Sequence, residues 1–377
     1  MRIGLLAPPF DTCPPRSYGG TERVIAGLAD ALVERGHDVT LFAAAGSATR
    51  ARLVPTVERP VWHREGEVND LPLQALSVGR AYRNAADLDI MHNHIDTVAY
   101  PAARQASIPT ITTLHWTLEA PEVAEVYAEF AEQPLVSISD AQRRPLPAAN
   151  WIATVYHGLR ADTYRPRTEA GGDYLAFCGR CTPEKGLHTA IAVAERTGIP
   201  LKIAARRPPE RSNVRALQIE REYYEREVAP KIDNRTVEFI GNISEPEKQE
   251  LYANALALLF PIQWSEPFGL VLIEALACGT PVIARPLGSV PEIVTHGVTG
   301  FHCETIEDFV DAVKRVDRID RSICRNEFER RFTATAMADG YEDAYTAVIE
   351  RRACGAEERE RLERLRFTQA SKSSSAD

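Results

Sequence analysis

The feature that most constrains this chain is a structural unit that recurs. Arg2–Ala7 is an apolar run of strand length, closed by Pro8 and Pro9. A Pro/Gly-rich loop continues through Gly20, and a helix is expected from Thr21 to Arg35. Val24, Leu28 and Leu32 recur at i+4 along it, and Gly36 supplies the stop. Val39–Ala43 is the next strand. A strand, a helix and a strand in one sheet require parallel pairing and a right-handed crossover.

Short apolar runs follow at Leu88–His92, Thr110–Leu114 and Leu135–Ser139. The series then restarts with Tyr174–Cys178, Leu201–Ala205, Val237–Ile240, Ala257–Phe260 and Pro281–Ala284. Between them, Ser244–Asn254 reads as a helix, with Ser244 and Glu247 as a capping box and Pro246 in the first turn. At 377 residues the chain exceeds what one core usually supports. The expected fold is α/β, two doubly wound parallel-sheet, Rossmann-like domains facing across a cleft. Their expected bounds are 1–165 and 166–350, joined through the polar segment Arg160–Gly172. A charged helix (Glu357–Arg366) and a disordered tail (Ser371–Asp377) are expected within 351–377.

Composition narrows the function classes. A net charge of -9 argues against a nucleic-acid binder and a broadly basic membrane face, while leaving room for a local phosphate pocket. No run approaches the ~20 apolar residues of a membrane-spanning helix, though this does not exclude peripheral membrane contact. Arg2–Ala7 is too short for a signal peptide, so a cytoplasmic location is expected. The 7 scattered cysteines fit a reducing compartment. Cys178 and Cys181 form a C-x-x-C pair, but no second pair or suitably spaced histidines complete a zinc site.

Four groups of residues fall at strand ends, where such sheets bind ligands. In Glu266-Pro-Phe-Gly-Leu-Val-Leu-Ile-Glu274 a loop ends at Gly269 and an apolar helix runs to Gly279. The free N–H groups near Gly269 and Leu270 form an anion site. With helical spacing the two glutamates would lie ~12 Å apart along the axis. A retaining glycosidase pair needs ~5 Å, so two separate ligand contacts fit better. In Cys178-Gly-Arg180-Cys-Thr-Pro-Glu-Lys185-Gly186 a turn carries Arg180 and Lys185 toward one space, where they can neutralise a departing diphosphate. Gly19 and Gly20 allow a backbone to approach phosphate or sugar closely, but without a G-x-G-x-x-G fingerprint. His92, His94 and His115 end predicted strands, as hydrogen-bonding groups or, with Asp96, as metal ligands.

Together these residues resemble glycosyltransferase family 4, whose members are retaining, metal-independent and of GT-B fold. The resemblance rests on Gly19–Gly20, His115, Ser137-Ile-Ser139, Tyr156-His-Gly158, Arg180 with Lys185-Gly186, Glu266…Glu274 as the family's E-x7-E, and Gly288-Ser-Val-Pro-Glu292…Gly297-Val-Thr-Gly300-Phe. It spans residues 1 to about 350. It implies an acceptor-side first domain and a nucleotide-sugar-binding second domain. It also implies a sugar moved from a nucleoside-diphosphate donor, UDP- or GDP-linked, to a small-molecule or glycan hydroxyl, with no metal or other cofactor.

By the same resemblance Arg180 and Lys185 hold the diphosphate and Glu274 binds ribose hydroxyls. Glu266 lies by the transferred sugar, with the backbone of Phe268, Gly269 and Leu270 touching sugar and phosphate. His115 reaches a sugar hydroxyl, and Gly19 and Gly20 approach the donor phosphates or the acceptor. One departure is Ala205-Arg206-Arg207-Pro208-Pro209, where many relatives have a Gly-rich turn; it leaves the nucleotide-base contacts unassigned. The implied mechanism is front-face substitution, resting on orientation and leaving-group stabilisation. Rival readings are a GT-B-fold sugar-nucleotide epimerase or phosphorylase, a metal-dependent hydrolase using His92, His94 and His115, and a non-catalytic nucleotide-sugar binder.

Overall fold

The computed structural model describes residues 1–16, 19–66, 68–167, 172–210 and 214–373, with side chains to Cys354. Its first sheet contains β1 (Arg2–Leu6), β2 (Asp38–Ala44), β3 (Arg52–Val57), β4 (Ile90–Asn93), β5 (Thr110–Thr113), β6 (Leu135–Ser137) and β7 (Trp151–Thr154), in the order 3-2-1-4-5-6-7. The second contains β8 (Leu175–Cys178), β9 (Leu201–Ala204), β10 (Val237–Gly241), β11 (Ala257–Phe260), β12 (Val282–Ala284) and β13 (Gly300–His302), in the order 10-9-8-11-12-13. Every pairing is parallel. Both sheets wind outward in two directions from their first strand. Each therefore has a switch point, between β1 and β4 and between β8 and β11, where a crevice opens at the carboxyl ends.

All the strands expected from sequence form, but β3, β7 and β13 were not expected. Each of the three is an edge strand. β3 carries Pro55 in its middle, β7 is half-buried throughout, and β13 has only three residues. An edge strand buries less of itself and tolerates proline, so its apolar signature is weak.

The end of the chain departs from the expected bounds. The C-terminal helix Ala334–Ser373 returns to the first domain, where Met337, Ala338, Tyr341, Tyr345 and Val348 pack with Val24, Leu28, Leu32 and Ile111. Residues 334–348 thus share the first domain's core, not the second's. Apolar side chains three and four apart make a stripe that must be buried somewhere, and sequence periodicity does not say against what. The chain crosses between domains twice at one place. There Leu159 N–H donates to Phe332 O at 2.9 Å and Ala334 N–H to Leu159 O at 2.8 Å. Gly158 is required there, because a Cβ would fall 2.1 Å from Thr333 O.

The described part of the expected linker is not free. Tyr164 is buried and donates to Glu245 at 2.7 Å, and Arg167 N–H donates to Cys278 O at 3.0 Å. Thr168–Gly171 of that segment and residues 374–377 of the expected tail lie outside the described residues, whereas 371–373 continue the C-terminal helix. Among the described residues no helix is long and apolar enough to cross a membrane.

Candidate functional site

The two switch points face each other across the domain boundary. The loop after β1 leads into the helix Gly20–Glu34, and the loop after β11 leads through Gly269, at φ +83°, into the helix Leu270–Ala277. A Cβ on Gly20 would sit 3.0 Å from Leu270 Cδ1, so the two helix starts adjoin. Each helix start presents N–H groups without intrahelical partners, together with the positive end of its dipole.

Beside these starts Lys185 Nζ meets Glu266 Oε2 at 2.5 Å. The loops explain the meeting. After β8, the turn Pro183–Lys185 ends at Gly186, whose φ is +70° and whose Cβ, if present, would lie 1.9 Å from Pro261 O. The loop after β8 is therefore pressed against the loop after β11. Trp264 Nε1 donates to the same Glu266 oxygen at 3.0 Å, and Lys185 Nζ lies 4.7 Å from the Trp264 ring centre.

Both domains fix the Glu266 loop. Ser139 of the first domain donates to Pro267 O at 2.6 Å. Ser289 of the second donates its N–H to Glu266 O at 2.9 Å and its hydroxyl to Phe268 O at 2.8 Å. A further clasp escaped the sequence reading: Glu292 accepts from the N–H groups of Asp140 and Ala141, at 2.8 and 2.7 Å, and from Tyr156 at 3.1 Å. Its motif was visible, but its partners lie more than a hundred residues away.

Arg180 points to a different carboxylate. It lies 3.4 Å from Glu184 and 3.6 Å from the buried Glu220, and Glu220 also takes Arg206 at 3.1 Å. Arg206 thus joins the Arg180 cluster, while Arg207 lies over the rings of Tyr224 and Phe239. Cys178 and Cys181 are free thiols, and burial pushes Cys181 up to about 12.

Glu274 differs most from the sequence expectation of an open ligand contact. Its side chain is 1% exposed. It accepts from Arg23 at 2.8 Å, Lys248 at 2.8 Å and Tyr252 at 2.9 Å. Burial alone would raise this carboxyl, but Lys248 and Arg23 outweigh it and hold the value down at about 2. Arg23 comes from the first domain and also meets Glu245 at 2.6 Å, so this buried cluster crosses the cleft. The sequence signal for Arg23 was only its place one turn after Gly19 and Gly20. The two glutamates of the motif thus belong to separate clusters.

His115 follows β5 and shares a 2.9 Å hydrogen bond with His94, through its own Nε2 and His94 Nδ1. Burial lowers it to about 3, so the ring is neutral near neutral pH, and its Nδ1 has no partner in the described structure. His157 stacks on it at 5.3 Å and presents to Phe268 at 4.9 Å. His92 spends both ring nitrogens on Thr113 at 2.7 Å and Tyr345 at 2.8 Å. Among the described residues no group of three metal-ligating side chains is placed to share an ion. A Cβ on Gly19 would fall 2.8 Å from Pro15 Cβ and 2.9 Å from the carboxyl of Glu22, and burial raises that carboxyl to about 7. Ser17 and Tyr18 of the same loop lie outside the described residues.

Comparison with known proteins bears on the family and the fold. The profile described as "Glycosyltransferase Family 4" matches residues 18–164, and that described as "Glycosyl transferases group 1" matches residues 163–332. A glycogen synthase of Mycobacterium tuberculosis is 25% identical over 391 residues, covering 87% of this chain and 92% of that one. Among solved structures, AviGT4, a glycosyltransferase involved in avilamycin A biosynthesis, superposes with a TM-score of 0.70 at 25% identity, covering 93% and 98% of the two chains. Anabaena HepE in complex with UDP and glucose superposes with a TM-score of 0.68 at 19% identity, covering 92% and 100%. The two profiles meet at the domain junction and together take in the second sheet and every strand of the first but β1, and the chain is a GT-B glycosyltransferase of family 4.

Proposed function

We propose that this glycosyltransferase moves a sugar from a nucleoside-diphosphate sugar, UDP- or GDP-linked, to an acceptor hydroxyl with retention of configuration and without a metal ion. The observation that carries the proposal is the Lys185–Glu266 pair at 2.5 Å beside two adjoining helix starts. A cation, two sets of unpaired N–H groups and a carboxylate then surround the place where a diphosphate leaves and a sugar carbon gains positive charge. Lys185 and Arg180 hold the diphosphate. The backbone at Gly19, Gly20, Phe268, Gly269 and Leu270 approaches phosphate and sugar.

Glu266 faces the transferred sugar, and neutral His115 uses its unpartnered Nδ1 on a sugar hydroxyl. Glu274 meets ribose by exchanging its bond to Arg23, so donor binding rearranges a contact between the domains. Glu266 has a lysine for its near partner and Glu274 is enclosed elsewhere, which favours front-face substitution over a covalent glycosyl-enzyme. The UDP in the HepE complex supports a nucleotide donor in this fold.

The test is a panel of UDP, GDP, ADP and TDP in excess EDTA, read by thermal shift. One of them at 100 times its dissociation constant should stabilise by about 2.7 kcal/mol, and Lys185→Ala should remove most of the gain. No shift with any of the four, or a shift that needs added manganese or zinc, overturns the donor reading. An inverted product anomer by NMR overturns retention.

A further inference from the structure

Apart from the cleft, the first sheet has a second opening at the carboxyl ends of β1, β2 and β3. It is a cavity of about 370 Å³ lined by Thr12 and Arg16 after β1, Ala45 after β2, and Glu58, Arg59, Pro60 and His63 after β3. Its walls are braced by backbone bonds between these loops. Val61 N–H donates to Pro9 O at 2.9 Å, Trp62 N–H to Phe10 O at 3.0 Å, and Ala48 N–H to Cys13 O at 2.8 Å. Cys13 N–H adds a bond to Ser47 Oγ at 2.9 Å.

Four features bear on the chemical preference of the cavity. Arg16 and Arg59 are exposed side chains, and neither guanidinium is paired with a carboxylate among the described residues. His63 is fixed by its Nε2 contact with Asp11 Oδ1 at 2.9 Å, and Asp11 is itself buried and accepts from Thr12 N–H at 2.7 Å. Glu58 is the one anion on the lining, against two permanent cations. Trp62, 52% exposed, stacks on Phe10 at 5.7 Å immediately before His63, giving an aromatic face next to the charged wall. In a chain of net charge -9, unpaired guanidinium groups on a braced cavity call for an anion.

We infer that this cavity binds the anionic group, phosphate or carboxylate, of an acceptor whose hydroxyl receives the sugar. The inference rests on the transfer reaction proposed above and names the class of its second substrate. Arg16 on its lining is three residues before Gly19, a chain span of at most about 11 Å, so a ligand anchored there by its charge lies within reach of the donor site. Arg16 and Arg59 take the anion.

The experiment measures binding of glucose 6-phosphate, glucuronate, inorganic phosphate and neutral glucose by calorimetry. It is run with the nucleoside diphosphate that gave the largest thermal shift present at saturation, so that the donor site cannot take the anion. Anionic probes should bind at least tenfold more tightly than glucose. Arg16→Ala and Arg59→Ala should each weaken them at least tenfold while leaving the nucleoside diphosphate shift intact. A phosphate–glucuronate difference identifies which anion is preferred. Equal binding of glucose and glucose 6-phosphate, or anion binding indifferent to both substitutions, overturns the inference. Loss of the nucleoside diphosphate shift in the unaltered protein overturns the donor reading instead, and the arginine variants still report on the cavity.

Discussion

Glu266 and Glu274 show how one motif can serve two electrostatic tasks. Glu266 sits on the loop after β11 with Trp264 and meets Lys185 of the neighbouring loop, and in the proposed reaction it faces the sugar carbon that gains positive charge in the transition state. Glu266→Gln should lower kcat at least ~100-fold while donor affinity by calorimetry persists. Glu274→Gln leaves Lys248 and Arg23 with only the partly exposed Glu245 as countercharge, so it should cost about 3 kcal/mol in denaturant unfolding as well as raise donor KM. Native stability in that variant would show that the cluster does not hold the domains.

A third carboxyl runs the other way. Burial raises Glu22 from 4.5 to about 7, so the folded protein holds its proton where the unfolded chain releases it. Stability from this group is therefore greatest below pH 4.5 and falls as pH rises toward 7, by about 3 kcal/mol in all. Glu22→Gln should flatten that part of the pH profile and make the protein more stable than the unaltered chain at pH 8. An unchanged slope between pH 4.5 and 7 would exclude this origin.

At the scale of elements, turns do the positioning and helices supply the charge. Gly186 and Gly198 make a controlled comparison, since both hold left-handed backbone at φ +70° and +69°. A Cβ at Gly198 meets nothing within 4 Å, whereas one at Gly186 would meet Pro261 O at 1.9 Å. Gly198→Ala should cost only the conformational penalty, about 1–2 kcal/mol, with activity retained. Gly186→Ala should cost more and weaken nucleoside diphosphate binding, because the turn bearing Lys185 must move away from Glu266. Equal effects in the two variants would mean that the approach of the two loops is not what sets the lysine.

The helix Glu245–Ala253 was readable in advance, since Glu247 accepts from Ser244 N–H at 2.7 Å as its capping box implied. The edge strands were not: partial exposure weakens the apolar pattern of β3 and β7, and β13 is only three residues long.

For the whole molecule, the C-terminal helix is the piece whose removal is most informative. Tyr345 completes the hydrogen bonding of His92, Tyr341 bonds Thr113 at 2.9 Å, and Glu342 meets Arg35 at 2.6 Å and His37 at 2.5 Å. A chain ended at Thr333 should lose its first domain before its second. In limited proteolysis followed by mass spectrometry, cleavage should appear first within residues 1–154. Uniform cleavage of both halves, or none, would contradict the packing described. Such a loss would reach the His92–His94–His115 group through Tyr345 and Thr113.

By itself the sequence determined two parallel sheets, their order of appearance and the family. Those features are written in local terms, as apolar period, glycine and proline placement, and residues close together in one turn. Only the tertiary structure decided that Arg23 would close on Glu274 from 251 residues away, that Glu292 would clasp the other domain, and that the last helix would belong to the first core. It also decided that Arg16, Arg59 and His63 would line one cavity. Those outcomes depend on which buried surfaces and charges meet across the fold. A buried charge takes whatever partner the packing brings within reach, and no local pattern along the chain records which partner that is.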